Sequence, residues 1–373
     1  MRILSIIGTR PEAVKMAPVV QELARTEGVE SLVGVTAQHR EMLDQVLRLF
    51  NISPDVDLNL MSPDQTLAKI TASILNHLDP ILVRFKPDWI LAQGDTTTVM
   101  ATSILAYYHR IRFGHVEAGL RTFDKWQPFP EEINRRIAGC IADLHFAPTE
   151  WSRENLLREN VPAERIIVTG NPVIDALRQI ARLPSDAVTD SLVNQLGLAE
   201  HPERRLILMT AHRRENFGQP LENICQAVLN LADQYGDSVR ILYPVHLNPN
   251  VRHTVYPLLG KHPGVLLTEP LDYLPMVHML KHARLVLTDS GGLQEEAPSL
   301  GVPVLVMREV TERPEGVRTG TVRLVGTDTQ RIVAEARRLL DDPQAHAEMA
   351  QAVNPYGDGL AAVRIVNALL AAQ

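Results

Sequence analysis

An α/β protein of two doubly wound lobes is predicted by three features of the sequence: short apolar runs, helical stretches between them, and a restart of the pattern midway. The first runs are Ile3–Ile7, Leu32–Val35, Trp89–Ala92, Phe113–Val116 and Ile166–Val168. They are too short for helices, and their lack of polar alternation suits strands covered on both faces. Glu12–Arg25, Arg40–Phe50, Thr66–Phe85 and Thr98–Tyr108 place apolar residues at helical spacing and supply the crossovers a parallel sheet needs. After the polar stretch Asp186–Glu203 the succession resumes with Leu206–Met209, Val239–Tyr243, Val265–Leu267, Leu285–Thr288 and Val302–Val306. A chain of 373 residues also exceeds what one core usually serves.

Composition narrows the function classes. Hydrophobic residues make up 45% and charged residues 22%, an ordinary globular mixture without a run long enough to span a membrane. The apolar start is interrupted too soon by Arg10 and Glu12 for a signal peptide, so the cytoplasm is the expected location. Cys140 and Cys225 are the only cysteines and have no metal-ligand spacing, so neither a disulfide framework nor a metal site is expected. A net charge of -7 disfavours nucleic acid as a partner.

In doubly wound sheets ligands gather beyond the carboxyl ends of the strands, and the polar motifs of this chain fall there. The first run ends in Gly8-Thr9-Arg10-Pro11-Glu12-Ala13-Val14-Lys15, where Pro11 suits a helix start. Arg10 and Lys15 beside a helix N-terminus make a site for a diphosphate, against the plainer reading of two surface cations. No Gly-x-Gly-x-x-Gly follows, which argues against a tightly held dinucleotide, and no cofactor is expected. In the second half, Thr288 to Ala297 run from a strand through Ser290, Gly291 and Gly292 into a helix, offering backbone N–H groups to phosphate. Glu296, about one turn in, suits the two hydroxyls of a ribose, whereas Glu295 reads as an acidic residue favoured by the helix dipole. Arg308 and Arg313 follow another strand and offer further cations to a diphosphate, or ordinary surface pairing.

Carboxyl groups recur at the remaining strand ends: Asp95 in Gly94-Asp95-Thr96-Thr97-Thr98, Glu117 in His115-Val116-Glu117-Ala118-Gly119, and Glu131 shortly after. His212 follows the first strand of the second half. Singly, Asp95 reads as a helix cap, Glu132 and Arg136 as a surface i,i+4 pair, and His212 as a satisfied core residue. Jointly, three carboxyls and an imidazole point to acid–base chemistry beside a nucleotide.

These motifs occur together and in order in one family. Gly-Thr-Arg-Pro-Glu-Ala-x-Lys, Gln-His-Arg-Glu-Met-Leu, Gly-Asp-Thr-Thr-Thr, His-Val-Glu-Ala-Gly-Leu-Arg-Thr, His-Arg-Arg-Glu, Asp-Ser-Gly-Gly-x-Gln-Glu-Glu and Asn354-Pro355-Tyr356-Gly357-Asp358-Gly359 give the chain, over its whole length, the look of the bacterial non-hydrolysing UDP-N-acetylglucosamine 2-epimerases. The resemblance implies two Rossmann-like lobes facing across a cleft, in the manner of glycosyltransferase-B enzymes. The lobes would be residues 1–170, joined by the C-terminal helix at about 360–373, and residues 171–359. It also implies a homodimer without a nucleic-acid or membrane partner, and UDP-N-acetylglucosamine and UDP-N-acetylmannosamine as the sugars exchanged. The catalytic residues it implies are Asp95, Glu117, Glu131 and His212, with UDP held by Arg10, Lys15, Arg135, Ser290, Gly291, Gly292, Glu296 and Arg313. Gln38, Arg213 and His246 resemble the site at which a second substrate molecule activates some relatives. The chain departs from the family pattern at Leu271 and Met276, where Gln and Phe are the family residues, which leaves backbone groups to read the base.

Chemistry agrees with the resemblance. The C2 hydrogen of such a sugar is not acidic, so without a redox cofactor inversion there requires expulsion of UDP from C1 and re-protonation of the resulting 2-acetamidoglucal on the other face. Rival readings are a hydrolysing epimerase releasing N-acetylmannosamine and UDP, a glycosyltransferase requiring an acceptor, and a non-catalytic nucleotide-sugar sensor.

Overall fold

The computed structural model describes residues 1–36, 40–60 and 65–372. Its chain divides into two compact units, Met1–Arg178 with Tyr356–Gln373, and Gln179–Pro355. Each is a parallel sheet wrapped by helices, so the fold is α/β with two Rossmann-like doubly wound lobes. None of the helices among the described residues is long and apolar enough to cross a membrane.

The first unit holds strands β1 (Arg2–Ile7), β2 (Glu30–Val35), β3 (Val56–Asp57), β4 (Trp89–Gln93), β5 (Arg112–Val116), β6 (Leu144–Ala147) and β7 (Ile166–Val168). Their spatial order is β3-β2-β1-β4-β5-β6-β7, and every neighbouring pair is parallel. The order reverses between β1 and β4, the place where a doubly wound sheet opens a crevice at its carboxyl edge. Helices begin just past that edge, at Arg10–Arg25 after β1 and Thr97–Tyr108 after β4. Thr9 starts the first in a capping box with Glu12, and the Thr96 hydroxyl accepts the Val99 N–H at 3.4 Å to start the second. Thr96, not Asp95, is therefore the cap, because its short hydroxyl reaches the exposed N–H of its own first turn.

The second unit repeats the plan with β8 (Arg205–Thr210), β9 (Val239–Pro244), β10 (Val265–Thr268), β11 (Ala283–Thr288), β12 (Val304–Val306) and β13 (Val322–Leu324), in the order β10-β9-β8-β11-β12-β13. Its reversal falls between β8 and β11. Apolar side chains cover both faces, with Ile207, Met209, Ile241 and Leu287 on one and Leu206, Leu208, Leu242 and Val286 on the other. This two-sided burial is why the strands read as unbroken apolar runs.

The predicted runs lie within strands except Val302–Val306, whose first two residues precede β12, and β3, β6 and β13 were not predicted. They have only two, four and three residues, sit near the sheet margins, and each includes a polar residue, Asp57, His145 or Arg323, that interrupts the apolar run. The polar stretch Asp186–Glu203 contains a helix, Ala187–Gln195, started by the Asp186 carboxylate accepting the Thr189 N–H at 2.8 Å. The C-terminal helix Ala361–Ala371 packs in the first unit, where Asp175 accepts the N–H groups of Ala361 and Ala362 at 3.2 and 2.9 Å.

The turn after β5 is sterically exacting. Gly119 has φ +90°, and a Cβ there would lie 2.3 Å from the Ser152 carbonyl oxygen. Its own carbonyl accepts from Asn155 Nδ2 at 3.0 Å, tying the turn to the helix Glu150–Arg158. Because the obstacle is backbone, Gly119→Ala should destabilise the protein by about 2–4 kcal/mol. Urea unfolding of the variant measures this; an unchanged midpoint would show that the turn is not constrained.

Candidate active site

In the first unit the carboxyl edge gathers Arg10, Lys15, Asp95, Glu117, Glu131 and Arg135 on β1, β4, β5 and the helices that follow them. Glu117, 6% exposed and held at φ +60°, ends β5 in a left-handed turn that aims its side chain back to the sheet edge. Lys15 Nζ meets both its oxygens, at 2.6 and 2.7 Å. Asn171 Nδ2 donates to it at 2.8 Å, and Gln93 Nε2 donates as well. Lys15, expected at the diphosphate, thus lies against the carboxylate, since it sits six residues into its helix and not at the N-terminus.

Asp95 receives the Arg135 guanidinium at 2.6 and 3.0 Å, and its backbone carbonyl accepts from Asn134 Nδ2 at 2.9 Å. Arg135 and Glu131 share the helix Glu131–Ile141. The neighbouring Glu132 forms the expected i,i+4 pair with Arg136, but its side chain is wholly buried and not at the surface. Its oxygens accept the N–H groups of Thr122 and Phe123, both at 3.1 Å, together with Arg135 and Arg136, both at 3.3 Å. Buried carboxylates need such partners, and here they fix the segment leading into the helix. Glu131, by contrast, keeps a buried Oε2 without a hydrogen-bond partner among the described residues.

Sequence reasoning missed Glu12, although it lies in the first motif. It is buried, accepts the N–H groups of Gly8 and Thr9, and leaves Oε1 without a partner. Burial pushes its carboxyl up from 4.5 to about 7, partly opposed by the hydrogen bonds from Gly8, Thr96 and Thr9 and reinforced by the charge of Asp95. On the adjacent strands His115 and His145 are paired in register, and burial holds both below the usual range, at about 4 and 3. His115 Nε2 lies 2.7 Å from the Gly94 carbonyl oxygen, bracing the turn before Asp95.

In the second unit His212, Arg213, His246, Ser290, Gly291, Gly292, Glu296 and Arg313 lie past β8, β9, β11 and β12. Asp289, fully buried, joins two of these loops: its Oδ2 accepts the N–H groups of His212 and Arg213, both at 2.8 Å, and Asn216 Nδ2 at 3.0 Å. His212 Nδ1 is 3.3 Å from Asp289 Oδ1, in ion-pair range though not aligned as a hydrogen bond. Its ring stacks on His246 with centroids 5.2 Å apart, and its side chain is 33% exposed, unlike a core histidine. Burial lowers its pKa, with Asp289 opposing and His246 and Arg213 adding to the shift.

The helix Gly291–Ser299 starts at Ser290, whose side chain caps no helical N–H. A Cβ on Gly291 would fall 2.4 Å from Arg313 Nη1, so glycine lets that guanidinium lie against the helix start. Glu296 accepts from the Tyr273 hydroxyl at 2.8 Å. Glu295 is buried and pairs with Arg313 Nε, so it is an ion-pair partner and not merely a dipole residue. A further residue that the sequence did not single out, Glu312, meets Arg308 at 2.7 Å, Arg313 at 2.9 Å and Arg213 at 3.3 Å. Burial alone would raise its carboxyl, but the three guanidinium groups hold it down at about 2. Leu271 and Met276 pack onto the apolar core of this unit. Gln38 lies outside the described residues.

Each unit thus carries half of what the sequence motifs suggested. Carboxyl groups with cationic partners line the first, and cations around a free helix start line the second. A family model described as UDP-N-acetylglucosamine 2-epimerase matches residues 21–370. The chain belongs to the UDP-N-acetylglucosamine 2-epimerase family. The enzyme of that name from Salmonella typhimurium is 57% identical over 371 residues, which is 99% of this chain and 98% of that one. The one from Escherichia coli K12 is 56% identical over the same span. The crystal structure of UDP-GlcNAc 2-epimerase from Neisseria meningitidis bound to UDP-GlcNAc has a TM-score of 0.92 at 48% identity and full coverage of both chains. The Methanocaldococcus jannaschii enzyme in complex with UDP-GlcNAc and UDP has a TM-score of 0.82 at 32% identity, again over both whole chains.

The Glu12 carboxyl sets a pH dependence of stability. The unfolded chain ionises it near 4.5 while the folded protein keeps it protonated to about 7, so its contribution is whole below 4.5 and is lost as pH rises through 7. The loss should be on the order of 3 kcal/mol. Glu12→Gln should flatten that slope in urea unfolding between pH 5 and 8; parallel slopes for the two proteins would refute the assignment.

Proposed function

We propose that this protein interconverts UDP-N-acetylglucosamine and UDP-N-acetylmannosamine without hydrolysis, by eliminating UDP and adding it back. The observation that carries the reading is the pairing of each strand-end carboxylate in the first unit with its own cation, Glu117 with Lys15 and Asp95 with Arg135. Family membership supplies the substrate class, through relatives solved with UDP-GlcNAc or UDP.

One carboxylate takes the C2 proton, the C–H electrons become a C1–C2 double bond, and the C1–O bond breaks so that UDP departs with the electron pair. The 2-acetamidoglucal so formed is then protonated at C2 on the opposite face while a diphosphate oxygen returns to C1. Glu117 and Asp95 perform the two C2 proton steps. Lys15, Asn171 and Gln93 orient Glu117 and Arg135 orients Asp95, so neither base must first be drawn from solvent. Glu131 assists with its unpartnered oxygen.

Arg10, Arg313, the N–H groups at Ser290, Gly291 and Gly292, and His212 stabilise the charge that grows on the leaving diphosphate. Glu296 takes the ribose hydroxyls. A second substrate molecule at Arg213 and His246, with Gln38, would activate the enzyme, which acts as a homodimer.

Purified protein given UDP-N-acetylglucosamine alone in heavy water should yield UDP-N-acetylmannosamine carrying deuterium at C2, read by NMR. Retained C2 hydrogen would exclude elimination, and free N-acetylmannosamine with UDP would assign hydrolysis instead. Glu117→Gln should bind UDP normally yet lose at least ~100-fold in kcat, the usual scale for a general base. Near-normal turnover would remove Glu117 from the proton steps.

A further inference from the structure

The first unit has a concavity at the amino edge of its sheet. A cavity of about 440 Å³ is lined by Arg136, Cys140, His145, Glu159, Val161 and Arg165, among others. Arg165 stands immediately before β7, His145 is the second residue of β6, and Arg136 and Cys140 lie in the helix that enters β6. In a parallel sheet a crossover helix starts at the carboxyl edge and ends at the amino edge. Glu131 is thus at the active-site end of this helix, and the cavity lies toward its far end. The volume is within the range of small-ligand sites.

Its lining is built for an anion that also carries hydroxyl groups. Glu159 contributes little negative charge, because Arg121 holds both its oxygens at 2.8 and 2.7 Å. Arg165 has no side-chain partner among the described residues, and Arg136 reaches only Glu132, at 3.3 Å, with a buried Nε unpaired. Two guanidinium groups therefore face the cavity with donors to spare. His145, 1% exposed, keeps a buried Nδ1 without a hydrogen-bond partner. Burial, followed by the charges of His115, Arg121 and Arg165, lowers this imidazole to about 3, so the ring is neutral. A neutral ring carries one N–H and one lone pair, and a hydroxyl can donate or accept, so an O–H group meets Nδ1 in either tautomer. A bare carboxylate or sulfate satisfies the arginines and leaves His145 unmet; a phosphorylated polyol satisfies both.

We propose that this cavity binds a small sugar phosphate, with the phosphate between Arg136 and Arg165 and a hydroxyl against His145 Nδ1. The site is separate from the catalytic edge and does not depend on the reaction assigned to it.

Cys140 reports on occupancy, since it is exposed in the cavity wall whereas Cys225, the other cysteine, is buried. Iodoacetamide alkylation of Cys140, followed by peptide mass spectrometry at constant ionic strength, should slow at least fivefold and saturably with glucose 6-phosphate. Inorganic phosphate should protect more weakly and glucose not at all. Arg165→Ala, an exposed and structurally mild change, and Arg136→Gln should each abolish protection. Absence of protection, protection by glucose alone, or protection intact in Arg165→Ala would overturn the site. Equal protection by inorganic phosphate would overturn the polyol and leave the oxyanion as the ligand.

Discussion

Keeping a carboxylate out of water is the constraint around which the first unit is arranged. Glu117 can be buried only because Lys15, Gln93 and Asn171 converge on it from the helix after β1, the end of β4 and the segment after β7. Those elements adjoin because the strands pair in register, Ile3 to Trp89, Gln93 to Val116 and Val116 to Phe146. A slip of any strand would withdraw a donor and leave the charge uncompensated. The sheet therefore positions the carboxylate, and the carboxylate in turn makes one register much better than its alternatives.

The second unit meets the same constraint with Asp289. Its carboxylate accepts from the backbone of His212 and Arg213 and from Asn216, so the loops after β8 and β11 are tied together. Glu312 does for arginines what Asp289 does for backbone. It gathers Arg213, Arg308 and Arg313, three cations that would otherwise repel one another. The guanidinium groups are thereby ordered without any ligand, which lowers the entropic cost of meeting an anion.

Much of the fold could be read from the chain. Wholly apolar runs such as Trp89–Ala92 and Leu206–Met209 announce strands covered on both faces, and the helical intervals between them demand parallel pairing. The short strands β3, β6 and β13 escaped because their two to four residues include a polar one, Asp57, His145 or Arg323, which breaks the apolar run. Strand ends carrying Asp95, Glu117 and His212 were recognisable as candidate site positions because polar motifs follow apolar runs there. Glu12, Glu132 and Glu312 were not, because nothing local distinguishes a solvated glutamate from one that is buried and bridged.

Local chemistry, then, was determined by the sequence itself: strand and helix alternation follows from apolar spacing, helix starts from Thr9, Thr96 and Asp186, and the tight turns from glycines such as Gly119. Partnership was decided only by the tertiary structure. That Lys15 faces Glu117 across 102 residues, or Arg213 faces Glu312 across 99, depends on which elements the sheets bring side by side. The energy of an ion pair depends on separation and burial, and neither quantity exists until the chain has folded.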